Sequence, residues 1–199
     1  MRASFDKLIS WTGVLLAAFL LVAGGLLTYA YIYIGNEVDA QLSAQDITMP
    51  EGAALQALPP ADQAALKPYA GSPMDTGPEA KAYADHYILA HMNAASGGKT
   101  YSAISGQYVA MTPEQKASPA GEQLAGLRNT LFQGSTLRGL LLYGAAFATM
   151  GTIAGYAAIG AFIGAVILLA LGFLGLRHAR RMEQAAAGEP AVTGQTAAS

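Results

Sequence analysis

The sequence predicts an all-α membrane protein with two transmembrane helices and a small helical segment between them. Two uncharged stretches support this prediction, one between Lys7 and Glu37 and one between Arg138 and Arg177. The residues between them are rich in Ala and Pro, and so short a segment would bury only a marginal core by itself. We expect the following order of segments: a cytoplasmic N-terminus (1–10), transmembrane helix 1 (11–34), an extracytoplasmic helical and Pro-rich segment (35–138), an outward helix extension (139–155), transmembrane helix 2 (156–176), and a cytoplasmic basic flank with a disordered tail (177–199).

The first uncharged stretch is long enough to cross a membrane. Residues 11–34 carry no charge, and a hydrocarbon core requires about 20 residues of helix. Trp11 and Tyr29 lie about 27 Å apart along a helix, and aromatic rings prefer the membrane interface. Trp11, Tyr29 and Tyr33 are therefore predicted interface anchors. A cleaved signal peptide is the alternative, but its apolar region is normally about 7–15 residues long, so an uncleaved anchor is favoured.

Basic residues near the span ends predict the orientation. Arg2 and Lys7 precede the first span, and Arg177, Arg180 and Arg181 follow the second. Residues 36–138 contain six basic and ten acidic side chains, a net charge of −4. Lys and Arg accumulate on the cytoplasmic side. We therefore expect a multi-pass protein of the plasma membrane with both termini in the cytoplasm.

The second uncharged stretch is longer than a bilayer requires. Residues 139–176 would form a helix of roughly 57 Å, which could tilt, fold into a two-span hairpin, or project beyond the membrane. Tyr156 precedes Arg177 by about 31 Å, so it is the predicted outer anchor, and projection is favoured. Each large apolar side chain of this projection would then cost about 1.5–3 kcal/mol if water reached it: Leu140, Leu141, Leu142, Phe147 and Met150. Another part of the chain or another subunit must cover them.

Glycines in both spans suggest close helix packing. Gly151 and Gly155, and likewise Gly160 and Gly164, have the four-residue spacing that lets two membrane helices approach closely. We expect them to pack against Gly24 and Gly25 or against a partner. The alternative is that glycine is simply common in this chain, which has 23 of them.

The segment between the spans is predicted to form two or three short helices packed around the membrane-proximal ends of the two long ones. The first helix could continue through residues 36–44, and a short helix is predicted at 61–66 within a Pro-rich loop. Pro78 suits a first helical turn, and Gly97-Gly98 ends that helix. Thr112 begins a capping box. A last helix is expected to start near Pro119 and run into the second span.

Several kinds of chemistry are not expected. Gly97-Gly98-Lys99-Thr100 resembles the end of a phosphate-binding loop, but Asn93 replaces the required earlier glycine, so no nucleotide is expected. The basic residues are scattered and the net charge is −2, so the sequence has no basic patch of the kind that binds nucleic acid. The chain has no cysteine. No ionisable residue lies within either span, which argues against a channel or transporter.

A metal centre is also not expected within one chain. His86 and His91 are five residues apart, about 140° around a helix, so they do not share a face. His91 is better explained as a packed or hydrogen-bonded residue one turn after Tyr87, although a site shared between subunits stays open. We therefore expect no enzyme activity and no cofactor.

Three short motifs carry a resemblance to a known group. They are Asp39-Ala40-Gln41-Leu42 with Met49, the run from Ala95 to Tyr101, and Ser135-Thr136-Leu137-Arg138. The chain resembles, over most of residues 10–180, small actinobacterial two-span membrane proteins of uncharacterised role. Some of these carry the automatic name aromatic ring-opening dioxygenase. The histidine spacing above does not supply the two His and one carboxylate of such an iron site.

These observations favour a non-enzymatic accessory or assembly subunit. Its expected partners are the lipid bilayer and other membrane protein subunits or further copies of itself. A self-associating envelope protein is one alternative. The other is an extracytoplasmic ligand-binding or sensor module, for which Lys99 and Tyr101 are the candidate contact residues.

Overall fold

The computed structural model describes residues Arg2–Ala187, with side chains described over residues 5–184. The predicted disordered tail therefore lies largely outside the described residues. Within the described range the chain is helical and contains no β-strand. A single isolated bridge joins Thr48 and Pro73. The all-α prediction is confirmed.

Two helices dominate the chain, α1 (Arg2–Ser43) and α8 (Pro119–Ala187). Both are long and apolar enough to cross a membrane. Only 11% and 17% of their most apolar stretches are buried within the chain, unlike the core helix of a water-soluble protein. Because α8 is uninterrupted, residues 139–176 do not turn back as a hairpin.

Short helices fill the chain between α1 and α8: α2 (Gly52–Gln56), α3 (Pro60–Leu66), a 3₁₀ turn (Lys67–Tyr69), α4 (Gly77–Ala82), a π-helix (Tyr83–Ile88), α5 (Leu89–Ser96), α6 (Tyr101–Val109) and α7 (Pro113–Lys116). Their ends follow local signals. Gly97 ends α5 with a positive φ of 61°, and Thr112 and Gln115 form the expected capping box. A second capping box, Thr76 with Glu79, begins α4 and is readable from the same Thr-x-x-Glu pattern.

The chain divides into two compact units. We call Met1–Ala30 with Ile153–Ser199 the two-helix unit, and Tyr31–Thr152 the central unit. Along the chain, both divisions fall close to the predicted outer anchors Tyr29, Tyr33 and Tyr156.

In the two-helix unit, α1 and α8 run antiparallel and meet through small residues. A Cβ built at Gly172 would lie 3.2 Å from the Ser10 carbonyl oxygen, and one at Gly164 would lie 3.2 Å from Leu20. The fully or nearly fully buried small residues recur every seven positions on both helices: Ser10, Ala17 and Gly24, and Ala158, Ala165, Gly172 and Ala179. This is the repeat of a coiled-coil seam, and small side chains let the backbones come close.

The central unit has its own apolar core. Met49, Leu66 and Met74 are its largest fully buried side chains, and Leu42 of α1 and Leu141 of α8 complete it. Leu142 packs against this core as well. Gly77 lies so close to Ala148 that a Cβ there would overlap with it. The first helix and the short helices thus cover part of the apolar 139–155 stretch, as the sequence requires.

Candidate functional site

The clearest candidate site in the central unit is a groove between the end of α1 and the middle of α8. Its volume is about 560 Å³. We call it the docking groove and define it by Tyr33, Ile34, Glu37, Val38, Gln41, Leu42 and Gln45 of the α1 side, and Leu137, Leu140, Leu141, Gly144, Phe147 and Met150 of α8.

The two walls of the docking groove differ in character. The α8 wall is apolar, and Leu140, Phe147 and Met150 remain 61%, 57% and 59% exposed. The other wall carries polar groups, among which Gln41 donates a 2.9 Å hydrogen bond to Glu37. The groove therefore combines a large uncovered apolar surface with one carboxylate.

The register of the two walls follows from close contacts. A Cβ at Gly151 would lie 3.0 Å from Ile34, and one at Gly144 would lie 3.6 Å from Leu42. Because α1 and α8 are antiparallel here, Phe147 lies at about the level of Val38. Phe147 and the Glu37–Gln41 pair thus lie at about the same level of the groove.

Between Leu140 and Met150, Tyr143 is also exposed, to 68%. Together, Leu140, Tyr143, Phe147 and Met150 follow the 3-4-3 spacing of a coiled-coil seam. We call these four residues the exposed seam. Leu141, by contrast, is 3% exposed and belongs to the core.

A polar network lies on another part of the central unit, around the π-helix. Leu89 donates its backbone N–H to the Ala84 carbonyl, the five-residue step that defines a π-turn. Asp85 accepts hydrogen bonds from Lys81 and, over 2.7 Å, from Arg138 of α8. Burial would raise the pKa of Asp85, but the hydrogen bonds and charges of Lys81 and Arg138 lower it below the ordinary value.

The histidines have separate partners. His86 Nδ1 lies 2.8 Å from Asp62 of α3, and His91 Nδ1 lies 2.8 Å from the Tyr87 carbonyl oxygen. The His91 ring also packs on Tyr87, with 4.4 Å between ring centres. Among the described residues, no group of three or more His, Cys, Asp or Glu is placed to hold a metal ion.

The buried carboxylate of Glu79 ties the preceding loop to α4. Glu79 is 8% exposed and accepts hydrogen bonds from the Ser72 and Thr76 hydroxyls and from the Asp75 and Thr76 backbone N–H groups. Burial would raise its pKa, but these hydrogen bonds lower it overall. The pKa of Asp75 is raised, first by burial and then by the neighbouring charge of Glu79.

A third feature is an aromatic cleft between α6 and the start of α8. Its residues are Tyr101, Tyr108, Ala125, Arg128, Asn129 and Phe132, and its volume is about 390 Å³. The Tyr101 and Phe132 rings lie 5.6 Å apart. Sequence reasoning singled out Tyr101 but not the others, because the cleft depends on which face of α8 meets α6.

The predicted packing glycines take different places. Gly24 lies against the Phe162 ring, Gly164 against Leu20 and Gly151 against Ile34, whereas Gly25 and Gly160 face open space. Gly155 is half-buried. The four-residue spacing therefore does not describe the contact, and the seven-residue spacing does. That repeat is readable in the sequence.

The other predicted site residues lie at exposed positions. Trp11, Tyr29, Tyr33 and Tyr156 are 56%, 68%, 56% and 72% exposed. Arg177, Arg180 and Arg181 are exposed near the end of α8, and Lys99 is exposed in the turn before α6. These exposed positions are compatible with the predicted interface anchors and contact residues.

Comparison with known proteins adds no identification. No protein-family model matches the chain, and neither the curated proteins nor the solved structures contain a match.

Proposed function

We propose that the chain is a non-enzymatic integral protein of the plasma membrane that serves as an accessory or assembly subunit of a larger membrane complex. Both termini lie in the cytoplasm in this proposal, and the central unit lies outside. The supporting observation is the exposed seam on α8, which lines or adjoins the docking groove.

A protein partner is a better cover for the exposed seam than lipid. Three of its residues, Leu140, Phe147 and Met150, share the groove with Glu37 and Gln41. Placing a carboxylate in hydrocarbon costs about 2.5–3.5 kcal/mol or more. The groove therefore does not lie in the bilayer core. In water, each large apolar side chain left exposed forgoes about 1.5–3 kcal/mol of burial.

The spacing of the seam indicates the kind of partner. Apolar residues at alternating steps of three and four accept the side chains of a second helix. The partner is therefore a helix with an apolar face toward Leu140 and Phe147. A Lys, Arg or amide group toward Glu37 would complete the polar wall.

Site-specific crosslinking tests this proposal. A photoreactive amino acid at Phe147 is expected to yield one discrete heavier adduct in intact membranes, containing a second membrane protein. The same probe at Gln123, an exposed α8 position outside the groove, serves as the matched control and should give no such adduct.

Other outcomes would contradict the proposal. An adduct with the mass of two copies, together with a ladder of this chain alone on native gels, would mean self-association instead. Adducts with lipid only, or equal adducts from positions 147 and 123, would remove the argument for a docked helix.

A further inference from the structure

We infer that the aromatic cleft binds a small organic anion, with its carboxylate or phosphate group at Arg128 and its ring against the aromatic side chains of the cleft. This inference does not depend on the docking groove. It concerns a different surface of the central unit and assigns a ligand class rather than a protein partner.

Two helices build the cleft with matching periodicity. Tyr101 and Tyr108 are seven residues apart on α6, so they lie on one face two turns apart. On α8, Arg128 and Phe132 are four residues apart and occupy one face with Ala125 and Asn129. Between these faces, three aromatic rings, one guanidinium and one amide converge on about 390 Å³.

The charge in the cleft is unbalanced. The Arg128 guanidinium lies 5.0 Å from the centre of the Tyr108 ring, and Lys116 Nζ lies 5.4 Å from the same ring. No carboxylate is among the cleft residues. Within the described part of the chain, the ion pairs involve neither cation. Two cations beside one ring leave a positive field that an anion would neutralise.

The geometry of arginine narrows the ligand class. A guanidinium presents a planar fork that matches the two oxygens of a carboxylate or phosphate. The contact of the Arg128 guanidinium with the Tyr108 ring, 5.0 Å from the ring centre, stabilises the position of the cation. The phenol hydroxyls and the Asn129 amide can orient further oxygen atoms of the ligand.

The size and lining also fit a small molecule. Small-molecule sites are typically about 300–1,000 Å³, with aromatic walls and a few polar groups that set orientation. The Tyr101 and Phe132 rings are tilted by 52°, and Phe132 remains 52% exposed, so part of its ring surface is open to a planar or cyclic group. Aromatic pairing of this kind favours offset or tilted arrangements.

Direct binding to the full-length protein in detergent tests the inference. The probes are phenyl phosphate and benzoate, with neutral benzamide as the matched ligand control, measured by calorimetry and ligand-detected NMR. We expect saturable binding of at least one anion and none of benzamide at the same concentration. The tighter of the two anions identifies the head group.

Variants locate the binding. R128Q should weaken anion binding at least tenfold, as expected for a charged hydrogen-bond donor, and R128K should retain part of it. K67Q removes an exposed cation of the 3₁₀ turn, outside the cleft, and should leave binding unchanged. The inference is overturned if neither anion binds, if benzamide binds equally well, or if R128Q and K67Q weaken binding to the same extent.

Discussion

Arg138 of α8 donates a 2.7 Å hydrogen bond from Nη2 to Oδ1 of Asp85 in the π-helix, 53 residues earlier in the chain. The same carboxylate receives Lys81 on its other oxygen. The Lys81 side chain is 64% exposed, and the Arg138 side chain is 33% exposed. One carboxylate therefore connects a solvent-facing cation and a half-buried cation.

The two cations should differ in their contribution to stability. R138Q leaves Asp85 half-buried without its long-range partner, and we expect a loss of about 1–3 kcal/mol in the free energy of unfolding. K81Q removes only an exposed pair within one helix, worth about 0.3–0.5 kcal/mol. Thermal unfolding of both variants in the same detergent measures the difference. Equal losses would contradict this account.

Acid should weaken the anchoring of α4 through Glu79. Its pKa is lowered in the folded chain from an ordinary value of 4.5, so its contribution is fully present above that value. The contribution is lost as pH falls through the lowered folded pKa. E79Q should cost about 1–2 kcal/mol near pH 7, with a difference from the parent that narrows in acid. Unfolding curves between neutral and acidic pH measure this.

Asp75 provides a control of opposite sign. Because its pKa is raised on folding, its ionised form is disfavoured in the folded chain, and stability falls as pH rises through its ordinary and then its folded pKa. D75N should therefore maintain or raise the unfolding midpoint at pH 7. A fall as large as that of E79Q would contradict the assignment of Glu79 as the anchor.

Helix packing in the two-helix unit can be tested with two glycines of α8. A Cβ at Gly172 would meet Val14 at 2.8 Å and the Ser10 carbonyl oxygen at 3.2 Å, whereas Gly160 faces open space. We expect G172V to cost about 1–3 kcal/mol through overpacking and G160V to cost little. Thermal stability and disulfide crosslinking between introduced cysteines in α1 and α8 give the readout. Similar effects of the two substitutions would argue against the seven-residue seam.

The proposed topology is open to labelling, since the chain has no native cysteine. A cysteine at exposed Lys99 should react with a membrane-impermeant maleimide in intact cells. A cysteine at Gln184 should react only after permeabilisation. The reverse pattern would invert the orientation, and labelling of both sites in intact cells would exclude a common cytoplasmic side for the termini.

Local signals made much of the fold predictable. The uncharged stretches predict the long helices, and the Thr112 capping box and the glycine pair at 97–98 predict the helix ends. These features depend on residues within one or two turns of each other. The short α2, the 3₁₀ turn and α6 were not predicted. Around the first two, proline-rich sequence is typical of a loop, and packing against neighbouring helices stabilises helices that are too short to form alone.

Contacts between distant residues were much less predictable. The four-residue spacing of Lys81 and Asp85 is typical of an ion pair within one helix. Arg138 joins this pair from another helix, 53 residues along the chain from Asp85, and no spacing in the sequence predicts that contact. The buried position of Glu79 likewise depends on the loop that closes over it. The aromatic cleft required the rotation of α8 relative to α6, which neither helix specifies alone.

The π-helix at 83–88 requires an exact number of residues in this part of the chain. Its additional residue sets the phase between the first half of the helix, which presents Ala80 to the core, and the second half, which presents Ile88. Deleting one residue of the π-helix would rotate the following part of the helix by about 100° about its axis. The His86–Asp62 and Asp85–Arg138 pairs could then not form while the same apolar residues face the core. Insertions and deletions should therefore be tolerated in the Pro-rich loops of this protein, whereas the number of residues in the π-helix should not change.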